Sequence, residues 1–378
     1  MSGNRKADSK AMAKEYSLEI LGQPTVYGSE PRNIQMYFAE PEEEANKDTG
    51  ILLLIAGYGG SAKSNVYQKM RKQFADTYNL VTVQCDYLGS SFMQDNQHMP
   101  VTEEVLRSAL SDEEINLLLK DYQGNQNLLM GKTLTGYVPI GESGKDYNEM
   151  GLLQAMDNLM AVKVLSDILK ENGITGRRDR IYIYGQSHGA YLAYLCNFLA
   201  PGLFSAVIDN SAYLVPHYLF RDREVVKEGE IFNLRKIYHY MIRDMEYDKD
   251  SYDLEKLYDG FFNQAEIIVY HGADDEMIPL ADKKRFLEKI KGVSLHEITK
   301  EQVDGKAFYS SSHGLGADFL EVFHMAMREL AGKEAGKNKE DVIEEQEIWE
   351  NKSFHTGNFI YEVKWDTNIP ILSYTKQI

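Results

Sequence analysis

Three short stretches hold side chains able to do acyl-transfer chemistry together: Gly185-Gln186-Ser187-His188-Gly189, His271-Gly272-Ala273-Asp274-Asp275 and Ser311-Ser312-His313-Gly314. A serine hydroxyl is a weak nucleophile. It needs a base within hydrogen-bond reach, and the base needs an acidic group to hold its tautomer. By itself G-x-S-x-G is weak, since a tight turn can hold a serine by chance. Here the pattern follows "IYIY" and precedes "AYLAYLCNF", a strand running into a helix, which is the context of a nucleophile elbow. The order serine, acid, histidine is then met. Asp275 lies 88 residues after Ser187, and His313 a further 38 residues on, leaving room for one helix and one strand between acid and base.

Asp275 is the expected acid, with Asp274 the neighbour able to replace it. Asp209, at the end of the strand after the elbow, reads as a turn or capping aspartate. His271 reads as a loop-packing histidine, and His188 as the donor of a main-chain amide. An oxyanion needs two such amides. The second is expected from the glycine-rich loop "AGYGG" (56–60), from Tyr58 first and Gly59 second. Gly59, Gln186, Tyr213, Arg221 and Arg223 are expected to line the substrate pocket. Tyr218, Phe220, Phe232, Tyr238 and Tyr240 have two readings. They form the core of a small helical cap, or a lid whose aromatics and arginines face a sugar or an acidic glycan.

These groups must be placed by a frame, and the sequence supplies one. "ILLLIAG" (51–57) and "LVTVQCDY" (80–87) are continuous apolar runs, as in strands buried on both faces. Between them lies a helical stretch that Ser64 is placed to cap. Helix and strand alternate again from 149 to 210 and from 266 to 332. That rhythm predicts an α/β fold, a mostly parallel central sheet with helices on both faces and the functional edge at the strand C-termini. Two stretches break it. Residues 88–146 read as an insertion with one or two helices, the clearer starting after Ser111, and 212–263 as a second cap segment. The expected organisation is a disordered N-terminus (1–15), one catalytic domain (16–332) with these two insertions, and a charged connector leading to a terminal β-hairpin (333–378).

Composition narrows the function classes. The 378 residues carry a net charge of −17, which repels nucleic acid and anionic membranes. No apolar run is long enough to cross a bilayer. The N-terminal stretch "MSGNRKADSKAMAKEYS" has no apolar core of a signal peptide. Cys85 and Cys196 sit in apolar surroundings and suit a reducing compartment, so the location expected is cytoplasmic. "GKT" (131–133) and "ESGK" (142–145) lack the spacing of a phosphate loop. The nine histidines show no zinc spacing, so neither a metal nor another cofactor is expected.

"AGYGG" (56–60), "GQSHG" (185–189), "HGADDEMIP" (271–279) and "SSHG" (311–314) together resemble the α/β-hydrolase superfamily, over about residues 16–332. "GQSHGAYLA" and the H-G-x-x-D-x-x-I-P segment are similar to its prolyl-oligopeptidase and esterase branch. "IAGYGG" with "VIDNSAY" resembles an uncharacterised bacterial hydrolase family, some members of which are encoded near flagellar or surface-glycan genes. The resemblance implies a serine hydrolase working through an acyl-enzyme on an ester, thioester or amide. Ester hydrolysis is favoured, as in a carboxylesterase or a deacylase of a glycan or small metabolite. Peptidase action on short peptides, acyl transfer, and a non-catalytic interaction protein on the same fold are the alternatives. The expected partner is a small-molecule, glycan or peptide acyl substrate. Homo-oligomerisation is left open.

Overall fold

The computed structural model describes residues 13–25, 32–174, 177–334, 349–366 and 370–377. In chain order, an antiparallel pair, β1 (Lys14–Gly22) and β2 (Arg32–Glu40), leads to β3 (Gly50–Ile55), α1 (Asn65–Tyr78) and β4 (Leu80–Cys85). A first insertion carries α2 (Glu103–Arg107), α3 (Asp112–Lys120), α4 (Tyr122–Asn125) and β5 (Thr133–Tyr137). Then come α5 (Leu152–Glu171), β6 (Ile181–Gln186), α6 (His188–Leu199) and β7 (Ala206–Asn210). A second insertion holds β8 (Arg223–Lys227), β9 (Asn233–Tyr238) and α7 (Leu254–Leu257). The chain continues through β10 (Glu266–Gly272), α8 (Leu280–Leu287), β11 (Val293–Ile298) and α9 (Phe319–Glu334), and ends in β12 (Lys352–Thr356), β13 (Phe359–Lys364) and β14 (Ile371–Lys376).

The main sheet has the order β1-β2-β4-β3-β6-β7-β10-β11. β2 runs against the others; every pairing from β4 to β11 is parallel. This is the α/β-hydrolase arrangement, with β6 near its centre. The apolar runs are long because both faces are covered. Leu53 and Ile55 pack with Leu159 of α5 and Leu192 of α6, whereas Leu52 and Leu54 face Phe74 of α1 and Phe323 of α9. The Phe74 and Phe323 rings meet at 4.2 Å. Ser64 caps α1 by accepting from the Tyr67 amide, and Ser111 forms a capping box with Glu114 at α3.

Three expectations need correction. The segment 212–263 is not a helical cap: β8 and β9 pair antiparallel, and β9 pairs parallel with β5 of the first insertion. The two insertions thus form one cap, because neither the single strand β5 nor the β8–β9 pair alone can bury the apolar face made by Leu134, Tyr238 and Tyr240. Disorder through residue 15 extends too far, since β1 begins at Lys14 and Glu15 pairs with the buried guanidinium of Arg71; residues 1–12 of that segment lie outside the described residues, as do 335–348 of the charged connector. At the C-terminus, β13 and β14 form the expected hairpin, but β12 joins them in a separate three-stranded antiparallel sheet. That sheet packs on α6, with the Phe354 ring edge-on to Phe198 at 5.0 Å and Tyr361 in the core.

Candidate active site

The strand order and the crossovers bring the candidate residues to one edge. Tyr58 follows β3, Ser187 joins β6 to α6, Asp275 follows β10, and His313 lies between β11 and α9. Ser187 sits at φ 54° and ψ −119°, a conformation nearly closed to residues with a side chain. The two glycines around it are steric necessities. A Cβ on Gly185 would come within 2.3 Å of the Gly189 carbonyl oxygen, and one on Gly189 within 2.2 Å of the Ile55 carbonyl oxygen. The bend is held by the Ser187 amide, which donates to the Asn210 carbonyl of β7 at 2.8 Å.

A continuous hydrogen-bond chain runs from this serine. Ser187 Oγ lies 2.8 Å from His313 Nε2, and His313 Nδ1 lies 2.8 Å from Asp275 Oδ2. Asp275 Oδ1 accepts from the Met277 and Ile278 amides at 2.9 and 3.0 Å. Burial pushes the Asp275 carboxyl up, but the bond to and charge of His313 and the Ile278 amide outweigh it and hold the pKa below the ordinary value. The carboxylate is therefore the form that faces His313. The His313 imidazole is further fixed by Tyr213, whose ring stacks on it at 5.4 Å and 13°.

The alternatives are otherwise engaged. Asp274 accepts from Ser311 Oγ at 2.6 Å. Asp209 is buried in an ion pair with Lys283 at 2.6 Å and accepts from the Ala212 amide. His271 is buried, with Nε2 donating to the Ile278 carbonyl, and burial lowers its pKa. Among the amides, Gly59 is committed to the Met93 carbonyl at 2.9 Å and is not a free donor. The Tyr58 and His188 amides make no hydrogen bond among the described residues; His188 follows the serine directly, and Gly57, next to Tyr58, backs onto the Ser187 side chain.

The pocket candidates divide. Gln186 is half-buried, with its amide group close to Gly314. Tyr213 lies against His313. Arg223 does not present a free cation to a substrate: it is buried, paired with Asp95, and stacked 5.0 Å above the Tyr58 ring. Arg221 is exposed at the cap surface. Sequence reasoning missed Asn148, Gln154 and Met93. Asn148 and Gln154 have exposures of 0% each, and Gln154 stands inside an apolar helix face, "LLQAM", which was the available signal. Among the described residues no cluster of His, Cys, Asp and Glu suits a metal ion.

Strand order, elbow and hydrogen-bonded Ser-His-Asp set define a protein of the α/β-hydrolase fold. The chain belongs to the family described as protein of unknown function (DUF2920), which matches residues 119–369 and so spans Ser187, Asp275 and His313 but not Tyr58. No curated protein matches it by sequence. Among solved structures it is similar to Est1E from Butyrivibrio proteoclasticus with ferulic acid bound, at 14% identity over 81% of this chain and 96% of that one, TM-score 0.45. It is similar to a putative dipeptidyl aminopeptidase IV from Bacteroides ovatus at 12% identity, covering 86% of this chain and 36% of that one, TM-score 0.49. The peroxisomal α/β-hydrolase Lpx1 from Saccharomyces cerevisiae is similar at 11% identity over 89% and 93%, TM-score 0.47.

Proposed function

We propose that this protein is a serine hydrolase that cleaves an ester through an acyl-enzyme on Ser187. The observation that carries the reading is the unbroken chain Asp275–His313–Ser187 ending on a strained elbow. His313 Nε2 takes the hydroxyl proton as Ser187 Oγ bonds to the substrate carbonyl carbon. The carbonyl electron pair moves to oxygen, and the Tyr58 and His188 amides hold the resulting oxyanion. Asp275 keeps the His313 proton on Nδ1 and stabilises the imidazolium. Collapse of the intermediate expels the alcohol, which takes the Nε2 proton. Water, deprotonated by the same nitrogen, then releases the acid and restores Ser187.

The substrate class we infer is an acylated glycan or small metabolite. Tyr213 lies beside Ser187 and Tyr218, and the half-buried Tyr218 meets the half-buried Tyr58 edge-on at 4.8 Å; a partly open aromatic wall of this kind suits a sugar or another small ring. The free, buried thiols of Cys85 and Cys196 favour a reducing, cytoplasmic setting. No helix among the described residues is long and apolar enough to cross a membrane.

The test is intact-mass spectrometry after a fluorophosphonate probe, followed by a panel of acyl esters, acetylated sugars and dipeptide amides. One adduct on wild type, absent from Ser187→Ala, is the expected result. No adduct on folded wild type would refute the assignment. Turnover of the amides alone would replace esterase by peptidase.

A further inference from the structure

Tyr58 and His188, the two residues assigned above to the oxyanion, are tied to each other through their side chains. Asn148 Nδ2 donates to Tyr58 Oη at 2.9 Å. Gln154 Nε2 donates to Asn148 Oδ1 at 2.9 Å and to the Leu88 carbonyl at 2.8 Å. Those two bonds turn the Gln154 carbonyl oxygen toward His188, whose Nε2 lies 2.7 Å away. His188 Nε2–H is therefore the donor. The loop closes where the Tyr58 ring meets the His188 ring edge-on at 5.3 Å. Asn148, Gln154 and His188 are each fully buried, where unsatisfied polar groups are costly.

The other side of the Tyr58 loop is held by both halves of the cap. The Met93 carbonyl, from the first insertion, accepts from the Gly59 amide and from Arg223 Nη1. Arg223, from the second insertion, covers the Tyr58 ring and pairs with Asp95. Asn148 is itself anchored, its amide donating to Glu142 at 2.7 Å. Glu142 also accepts from the Met241 amide at 2.6 Å. Neither tie comes from the main sheet.

We infer that Asn148 and Gln154 are positioning residues for the oxyanion hole, fixing the Tyr58 amide relative to the His188 amide through one closed circuit of three hydrogen bonds and the Tyr58–His188 ring contact. The inference rests on the serine-hydrolase reading. Its physical basis is that an amide placed a fraction of an ångström off the oxyanion still permits substrate binding but stabilises the transition state less. Loss of the circuit should thus lower kcat and leave KM nearly unchanged. Neutral His188 fits its place as donor, since burial lowers its pKa to about 3.

The test uses Tyr58→Phe and Gln154→Met, singly and together, on an ester that wild type turns over. Tyr58→Phe keeps the ring and the amide and removes only the hydroxyl. Each single variant should lose about tenfold in kcat, with KM within twofold. The double variant should also lose about tenfold rather than a hundredfold, because one circuit is broken only once. The preference for an ester over its thionoester should shrink, as a loosened hole discriminates less between oxygen and sulfur, and a merely structural change would not move that ratio. The low-field proton signal of the Asp275–His313 bond should persist in all variants. Unchanged kcat in folded Tyr58→Phe, or multiplicative losses in the double variant, would overturn the inference while leaving the hydrolase reading intact. A folded wild type that neither labels at Ser187 nor turns over esters would remove both.

Discussion

Asp275→Asn isolates the electrostatic part of the proposed mechanism with almost no change in shape. The Asn side-chain oxygen can still accept from the Met277 and Ile278 amides, now bonded to Asp275 Oδ1 at 2.9 and 3.0 Å. Its NH2 then takes the place of Oδ2 and faces His313 Nδ1 at 2.8 Å. Two donors cannot share that bond, so the imidazole moves its proton to Nε2. That nitrogen then has no lone pair for the Ser187 proton 2.8 Å away. The position is fully buried, so water does not readily substitute for the lost acceptor. Holding the wrong tautomer costs about 10⁴ in kcat, or about 5.4 kcal/mol of transition-state stabilisation. The assay is kcat/KM on an activated ester at neutral pH, with circular dichroism to show an unchanged fold and proton NMR to follow the Nδ1 proton. The low-field signal should vanish along with the activity. An Asp275→Asn protein within tenfold of wild type would refute the reasoning and turn attention to Asp274.

Three further outcomes follow from particular residues. Ser187→Gly should be more stable to urea than Ser187→Ala by about 1 kcal/mol, because glycine tolerates the backbone at φ 54° and ψ −119°; equal stabilities would mean the elbow is unstrained. Burial raises the Glu149 carboxyl to about 7 despite the Gly151, Gln154 and Leu153 amides and Tyr252. The folded state thus binds that proton more tightly than the unfolded chain. Its stability contribution is full below about pH 4.5 and is lost as pH rises to about 7, a change of about 3 kcal/mol. Urea melts of wild type against Glu149→Gln across that range should show the difference, and parallel curves would refute it. Lys283→Met strands the buried Asp209 carboxylate, 0% exposed, and should cost about 3–5 kcal/mol in urea unfolding while leaving kcat of the folded protein within a few-fold. A loss under 1 kcal/mol would show that the pair is solvated.

How much could be read in advance depended on the distance over which each feature is specified. The elbow is local: two glycines, four residues apart, are required by contacts within the strand–turn–helix unit and with the adjoining strand. The apolar runs of β3 and β4 are local too, since burial on both faces leaves a continuous signature. Serine, acid and histidine were legible because each follows its own strand and parallel strands bring their C-termini to one edge. The cap was not legible. β5 and β9 are separated by some hundred residues, and an edge strand completed by so distant a partner leaves no periodic mark of its own. The aromatics of 212–263 therefore read as the core of a small helical cap or as a lid, and neither reading included β8 and β9.

The sequence by itself determined the fold class, the strand order's functional edge, and the identity and order of the residues able to form a Ser-His-Asp set. Tertiary structure alone decided which atoms meet. It gave Asp275 rather than Asp274 to His313 and engaged the Gly59 amide with Met93. It took Arg223 out of the substrate's reach by pairing it with Asp95, 128 residues away. It also joined Asn148 and Gln154 to Tyr58 and His188. The physical reason is the same in each case. A hydrogen bond is decided by position and direction at the scale of a few tenths of an ångström, and those are set by how distant elements pack. A pattern along the chain specifies only which face of an element is buried.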